Sequence, residues 1–363
     1  LMSKKKIIST TIAILISVVF LYLAFRQIDF RLLVNSITTM NWFWTIPFTI
    51  VTWVTFWLRA VRWRILLLPT RDIHSWSLFG PMMIGFGFNS VFPARVGEFA
   101  RPFALTKKEG IPFTTGLSSV VLERFADALA LLGFFMIALM FVEFDPELRF
   151  TVGQNVLSAA TLENLANKLA IIAGLIFLCS VLALIEKVRN FGKWMIGKIP
   201  FIPHNIRDLL IGMVDTVAEG LASLRSPKLA VLIVFYSLLI WFLGGLTFWI
   251  LSWGFPGVEM NVMGALIFLV TTCIFISLPS APGYWGLYEW GGYFALVMLG
   301  AVAQSEAGKA TAMGYTIVAH FIQWALATAI GLYYAGKIHV SVGDAVEAQE
   351  EAEDVVEHEA QNA

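Results

Sequence analysis

Residues 88–101, with the sequence FNSVFPARVGEFAR, place a proline, a glycine and three charged residues at the end of the apolar stretch 75–92. A second apolar stretch ends in SLPSAPGYWGLYEWGG at 277–292. Such breaks free backbone groups that lipid cannot satisfy, so both segments must be buried in protein or line a cavity. A matched pair of interrupted segments in two halves of a chain is typical of a transport site. We therefore interpret 75–107 and 262–300 as broken, re-entrant hairpins. The predicted breaks are Pro93, Gly97, Pro279, Pro282, Gly283 and Gly286.

The composition is that of a membrane protein. Of the 363 residues, 58% are hydrophobic and 14% are charged, and the mean hydropathy is +0.77. Soluble domains have about 25% charged residues. The two cysteines lie far apart inside apolar segments, so they predict neither a metal site nor a disulfide framework. We expect no metal and no cofactor, and we find no motif for binding nucleotides or nucleic acid.

Six apolar segments are long enough to span a bilayer of about 30 Å. They are 7–25, 42–58, 117–142, 165–185, 227–251 and 311–335. Each half has the order span, span, hairpin, span. Because three crossings leave the chain on the opposite side of the membrane, the second half would have the opposite orientation to the first. The sequence therefore predicts an all-α polytopic membrane protein with about six spanning helices and two broken hairpins in two inverted-topology repeats. The domains are repeat 1 at 1–143 and repeat 2 at 144–337, with amphipathic cytoplasmic helices at 191–224.

The distribution of basic residues predicts the orientation. With the N-terminus inside, seventeen Lys and Arg residues fall on the cytoplasmic side and five outside, which agrees with the positive-inside rule. In this count Arg59, Arg62 and Arg64 belong to a cytoplasmic connection. Residues 338–363 hold eight acidic residues and no Lys or Arg, so we predict a disordered acidic tail. Both termini are expected to be cytoplasmic.

Charged residues concentrate at the predicted hairpins and in the neighbouring spans. If a helix starts after Pro93, Arg95, Glu98 and Arg101 share one broad face. Charges at membrane depth must pair with one another, face a wet cavity or lie near the interface. They could therefore be salt bridges that lock the helices, or they could form a cavity in which arginines attract an anionic headgroup. The residues that we expect at this cavity are Asn89, Arg95, Glu98, Arg101, Glu123, Arg124, Asp127, Glu289 and His320.

Three motifs resemble those of the lysylphosphatidylglycerol synthase transmembrane, flippase-like family. They are N-x-x-x-P-x-R-x-G-E-x-x-R from Asn89 to Arg101, E-R-x-x-D from Glu123 to Asp127, and P-G-x-x-G-x-x-E from Pro282 to Glu289. The resemblance covers residues 1–337. In the best-known members a membrane region of this type is joined to a cytoplasmic aminoacyl-transferase domain. These 363 residues contain no such domain, so we expect no synthesis of aminoacyl lipid. The family pattern often has an arginine in the last span, where this chain has His320.

The resemblance implies translocation of an anionic phospholipid or a polyprenyl-linked lipid between leaflets of a bacterial or archaeal cytoplasmic (inner) membrane. Alternating access of the two repeats is the expected mechanism, and a membrane lipid is the expected partner. Two other functions stay open from the residues. One is a non-transporting scaffold or regulator of a lipid-pathway enzyme, and the other is an integral-membrane lipid transferase.

Overall fold

The computed structural model describes residues 4–26, 28–93, 95–141, 149–152, 155–158 and 226–350, with isolated positions between 164 and 194. Apart from those positions, the predicted span 165–185 and the predicted amphipathic helices 191–224 lie outside the described residues. Both stay predictions.

Helices make up nearly all of the described structure. Those of the first half are α1 (Lys4–Phe25), α2 (Phe30–Thr39), α3 (Thr45–Leu67), α4 (Ser75–Val91), α5 (Gly97–Glu109) and α6 (Phe113–Phe141). A 3₁₀ turn at Trp42–Trp44 precedes α3, and two short antiparallel strands, β1 (Arg149–Val152) and β2 (Asn155–Ser158), follow α6. The second half has α7 (Pro227–Ser252), α8 (Val262–Ile276), a 3₁₀ turn at Pro282–Tyr284, α9 (Leu287–Met298) and α10 (Glu306–Ile338).

The predicted helical fold is confirmed. Two helices among the described residues, Lys228–Ser252 and Glu306–Ile338, are long and apolar enough to cross a membrane. The count of six spans and the inverted repeat remain predictions.

The order of helix contacts in the first half recurs in the second. In the first half α3 packs on α4, α4 on α5 and α5 on α6, and in the second half α7 packs on α8, α8 on α9 and α9 on α10. Between the halves, α4 packs on α10, α8 on α6 and α3 on α7. Each broken hairpin therefore lies against the last helix of the other half.

Two glycines permit the close crossing of α4 and α10. A β-carbon on Gly87 would lie 2.8 Å from the Cα of Gly331, and one on Gly331 would lie 2.6 Å from the Cα of Gly87. Small residues let helix backbones approach closely where lipid offers no hydrophobic driving force between helices. At this crossing the backbones themselves are in contact.

The connection predicted to begin after residue 58 begins later in the structure. Helix α3 continues to Leu67, so Arg59 and Arg62 lie inside the helix and not in a cytoplasmic connection. Arg62 is fully buried and Arg59 is 12% exposed. The helix continues through these arginines because Glu123 and Asp127 of α6 supply the carboxylates that pair with them.

The tail also differs from the prediction. Residues 342–350 are helical, and a capping box starts this helix, with Ser341 N–H donating to Asp344 at 2.9 Å and Asp344 N–H donating to the Ser341 hydroxyl at 3.2 Å. Ala345 is fully buried in a cluster with α4 and α5 side chains. Lys107 Nζ donates to the carbonyl of His339. The prediction of disorder is wrong for 342–350, and 351–363 lie outside the described residues.

Candidate functional site

The first break is held by a side-chain hydrogen bond. Asn89 Oδ1 accepts the N–H of Gly97 at 2.9 Å, and α5 begins at Gly97. Pro93 lies in the turn before it. Arg95 therefore lies outside the helix, with a left-handed φ of 53°. The predicted common helical face of Arg95, Glu98 and Arg101 is wrong, because the helix begins too late to include Arg95.

Arg95 connects the two breaks. Its Nη2 donates to the carbonyls of Ile276 at 2.9 Å and Ser277 at 3.3 Å, at the C-terminus of α8. The last carbonyls of a helix carry a partial negative charge and have no partner within the helix, so a guanidinium there is favourable. Glu98 lies 3.9 Å from Arg95. The role of Arg95 in this geometry is to hold the end of one hairpin on the other.

Behind the first hairpin, Arg101 and Glu123 form a buried bidentate pair. The two N–H···O distances are 3.0 and 2.7 Å. The guanidinium of Arg101 lies 3.8 Å from the ring centroid of Trp63, and Trp63 Nε1 donates to the Ser119 hydroxyl at 2.8 Å. Planar, bidentate geometry and stacking are contacts that arginine makes and lysine cannot. This pair locks α3, α5 and α6 together.

Asp127 is the centre of a second buried cluster. It accepts from Arg62 at 2.6 Å, from Trp241 Nε1 at 2.8 Å and from Arg59 at 3.3 Å. Arg62 also donates to the Ser237 hydroxyl at 2.7 Å, and it lies 3.3 Å from Glu123. The Asp127 carboxylate thus joins α6 to both α3 and α7. For Arg101, Glu123 and Asp127 the geometry matches the interpretation as salt bridges that lock the helices.

Arg124 and Arg59 differ from this locked set because they face a cavity. Arg124 pairs with Glu98 at 3.4 Å, yet 46% of its side chain is exposed. Arg59 keeps one contact to Asp127 and lies 4.8 Å from the ring centroid of Trp241. Each of these guanidinium groups therefore has donors left for a ligand.

The second break is built around Glu289 and His320. Gly283 and Gly286 have φ angles of 71° and 92°, which are the left-handed conformations that glycine adopts without steric cost. Glu289 Oε2 accepts the Gly286 N–H at 2.6 Å. Its Oε1 lies 2.5 Å from His320 Nδ1, while His320 Nε2 lies 2.8 Å from the carbonyl oxygen of Gly283. Pro279 and Pro282 lie in the non-helical stretch that leads into this turn.

A cavity of about 270 Å³ lies between the two hairpins, with walls from both halves. Arg59 and Arg124 line it, as do the side chains of Thr52 and Tyr288. The hydroxyls of Thr52 and Tyr288 are buried and have no hydrogen-bond partner among the described residues. Unpaired buried polar groups cost free energy, so these two hydroxyls indicate a site for water or a polar ligand.

Of the predicted site residues, Asn89, Arg124 and His320 line the cavity. Glu289 lies behind His320, and Glu98 contacts Arg124. The others serve the neighbouring locks: Arg95, Arg101, Glu123 and Asp127. Among the described residues, no group of three or more His, Cys, Asp or Glu side chains is placed to hold a metal ion.

Sequence reasoning missed several residues of the site. Arg59 and Arg62 were assigned to a loop, although their spacing of three residues, directly after an apolar run, is also compatible with a helical face. Tyr288 directly precedes Glu289 in the third motif, which was a usable signal. Thr52 and Trp241 gave no signal, because a threonine or a tryptophan in an apolar helix has many ordinary roles.

The comparison with known proteins identifies the family. The lysylphosphatidylglycerol synthase TM region matches residues 10–331. The chain belongs to this family. The resemblance inferred from the three motifs is thereby confirmed, and with it the assignment to a membrane protein.

A curated relative is the glycosyltransferase AglD of Haloferax volcanii, 25% identical over 315 residues. The match covers 82% of this chain and 49% of the relative, so the chain spans about half the length of that protein. No solved structure matches this chain. The family and the relative together indicate a role related to membrane lipids.

Proposed function

We propose that this protein moves an anionic phospholipid or a polyprenyl-linked lipid between the leaflets of the membrane, with the headgroup passing through the central cavity. The observation that carries the proposal is the cavity wall, where Arg59 and Arg124 lie beside the unpartnered hydroxyls of Thr52 and Tyr288. These groups offer charged and neutral hydrogen bonds to a phosphate and its substituents.

The charge around the cavity supports an anionic ligand. Five arginines and three carboxylates form the paired clusters, which leaves an excess of two positive charges. They are Arg59, Arg62, Arg95, Arg101, Arg124, Glu98, Glu123 and Asp127. An uncompensated charge at membrane depth is costly, so binding of a phosphate would balance the site. The arginine fork matches phosphate oxygens in geometry as well as charge.

The size of the cavity limits what enters it. Pockets for small molecules measure about 300–1,000 Å³. At about 270 Å³, the cavity is closer in size to a small headgroup than to a whole lipid. In the proposed mechanism the chains stay in the hydrocarbon while the headgroup crosses.

Alternating access fits the recurrence of helix contacts in the two halves, because each hairpin lies against the last helix of the other half. A change at either contact would open the cavity to one side. We place the protein in the cytoplasmic membrane of a bacterium or archaeon with both termini inside, on the basis of the distribution of basic residues.

The test is a leaflet-exchange assay in proteoliposomes with a fluorescent anionic phospholipid. Arg59→Gln combined with Arg124→Gln should lower the exchange rate by at least about tenfold. A hydrogen bond to a charged group contributes about 1.5–3 kcal/mol, and 1.4 kcal/mol corresponds to tenfold. The matched control is Arg64→Gln, because Arg64 lies on the same helix and pairs with the exposed Asp72. Wild-type exchange by the folded double variant would overturn the assignment of the site.

A second candidate function follows from the similarity to a named glycosyltransferase. Under it, the membrane region binds a lipid-linked sugar for an enzyme and does not transport it, as a scaffold or as part of a transferase. Both functions predict that native mass spectrometry after gentle solubilisation finds a bound anionic lipid, which the double variant loses. The exchange assay separates the two, because only transport predicts exchange in liposomes without a further protein.

A further inference from the structure

The contact between His320 and Glu289 contains one proton. The carbonyl oxygen of Gly283 can only accept a hydrogen bond, so His320 Nε2, 2.8 Å away, carries a hydrogen. His320 Nδ1 and Glu289 Oε1 lie 2.5 Å apart, and this contact needs a hydrogen on one of the two atoms. Whichever atom carries it, the pair with its shared proton has no net charge.

Removal of that proton would place two lone pairs against each other. Glu289 cannot rotate away freely, because its other oxygen accepts the Gly286 N–H at 2.6 Å. His320 is held in turn by the Gly283 carbonyl and by the ring of Tyr288, whose centroid lies 4.1 Å away in a stacked geometry. The shared proton therefore fastens the second break to α10.

The pair is buried, yet it borders the cavity. Glu289 is 1% and His320 is 4% exposed, and His320 forms part of the cavity wall. The other charged and titratable groups of the cavity wall come from α3, α6, α8, the 3₁₀ turn at Pro282–Tyr284 and α9: Arg59, Arg124, Cys273, Tyr284 and Tyr288. Helices α4 and α7 add no charged side chain to this wall among the described residues, and α1 contributes the Ser17 hydroxyl beside the break.

We propose that Glu289 and His320 form a proton-binding site, and that one proton travels with each anionic headgroup. The inference rests on the proposed function. When the shared proton leaves to water, the pair gains a negative charge, which repels an anion in the same cavity. An anionic headgroup therefore favours the protonated pair, and by reciprocity the protonated pair favours the headgroup. Proton and headgroup then move in the same direction.

Glu289→Gln is the decisive variant because it keeps each hydrogen bond. Its amide oxygen accepts the Gly286 N–H and its amide N–H donates to His320 Nδ1, but the shared proton can no longer leave. The matched control is Glu306→Gln at the start of α10, where an exposed carboxylate pairs with Lys309.

In the leaflet-exchange assay, one coupled proton makes the wild-type rate fall about tenfold for each pH unit above its midpoint. The Glu306→Gln protein should behave as the wild type, and the Glu289→Gln rate should not depend on pH or on an imposed proton gradient. Equal pH profiles for the wild type and Glu289→Gln would overturn the proton site while leaving the proposed transport intact.

Infrared difference spectra of the same proteins between acid and alkaline pH supply a readout that does not need transport. A carboxyl or imidazolium band that is present in acid in the wild type and absent from Glu289→Gln supports the proton site, and the absence of both bands from both proteins refutes it. If that band titrates but no variant exchanges lipid, the proposed function fails while the proton site stands.

Discussion

Substitution of Asp127 by alanine should be among the most destabilising single changes in the described part of the chain. The carboxylate accepts hydrogen bonds from Arg62, Trp241 and Arg59, which belong to two other helices. Without it, Arg62 keeps the Ser237 hydroxyl and the 3.3 Å contact to Glu123, but the buried clusters then hold three arginines against one carboxylate. The excess positive charge cannot reach bulk water, because Arg62 is fully buried.

The expected loss is about 3–5 kcal/mol of unfolding free energy, the range for removing one partner of a buried ion pair. Asp127→Asn should cost less, about 1.5–3 kcal/mol, because one oxygen still accepts a hydrogen bond while the charge is lost. The double variant Arg62→Met with Asp127→Leu should recover more than half of the loss. Replacing a buried pair by apolar residues of similar volume is often neutral or stabilising.

The assay is reversible unfolding in mixed micelles, followed by tryptophan fluorescence, with size-exclusion chromatography to show that each variant is folded at the start. Asp72→Ala is the control, since that carboxylate is exposed and pairs with the part-exposed Arg64. Two results would refute the reasoning: an alanine variant within about 1 kcal/mol of the wild type, or a double variant that loses as much as the sum of its two single changes.

Three further predictions concern packing and the tail. Gly331→Ala should destabilise the protein because the added methyl group would collide with the α4 backbone. Gly336→Ala should stabilise the protein by up to about 1 kcal/mol, because no atom lies within 4 Å of the added methyl group and alanine has the higher helix propensity. Thermal unfolding of the two variants measures both effects. Ala345→Glu should release residues 342–350 from α5, seen as faster amide hydrogen exchange there, since Ala345 is fully buried. The hydrogen bond from the Ser341 N–H lowers the pKa of Asp344, so its contribution to this helix is present above the ordinary pKa of about 4 and is lost as the pH falls through the lowered value. Protection of residues 342–350 from exchange, relative to the intrinsic exchange rate at each pH, should therefore fall in acid, and less so in Asp344→Asn.

Pattern and spacing located the two breaks well, because Pro and Gly act on the backbone directly. The structure leaves the helix at 92–93 and 95–96 and at 277–286, next to Pro93 and Pro282. Spacing did not predict where α5 begins. That start depends on the Asn89 side chain accepting the Gly97 N–H, a contact between residues on two different helices.

The arginines of α3 show the main limit of predicting helix ends from hydropathy. Hydropathy places Arg59 and Arg62 in a cytoplasmic connection because a charged residue ends an apolar run. The carboxylate that pairs with them inside the protein lies more than sixty residues away in the sequence, on α6. The same limit applies to tryptophan. Trp63 is fully buried and stacks on Arg101, and the part-buried Trp241 donates to Asp127. Pairing between distant helices cannot be read from a local window.

The glycine crossing has a mechanical consequence for α10. At 1.5 Å per residue, this helix of 33 residues is about 50 Å long, and His320 lies about 16 Å from the crossing at Gly331. The helix end at Ile338 lies about 10 Å from the crossing in the opposite direction. If α10 tilts by about 10° about this backbone contact, His320 would move by about 3 Å. The end that leads into residues 342–350 would swing by about 2 Å the other way. A tilt of α10 that shifts the Glu289–His320 contact would therefore also move the C-terminal end of this helix, in the opposite direction.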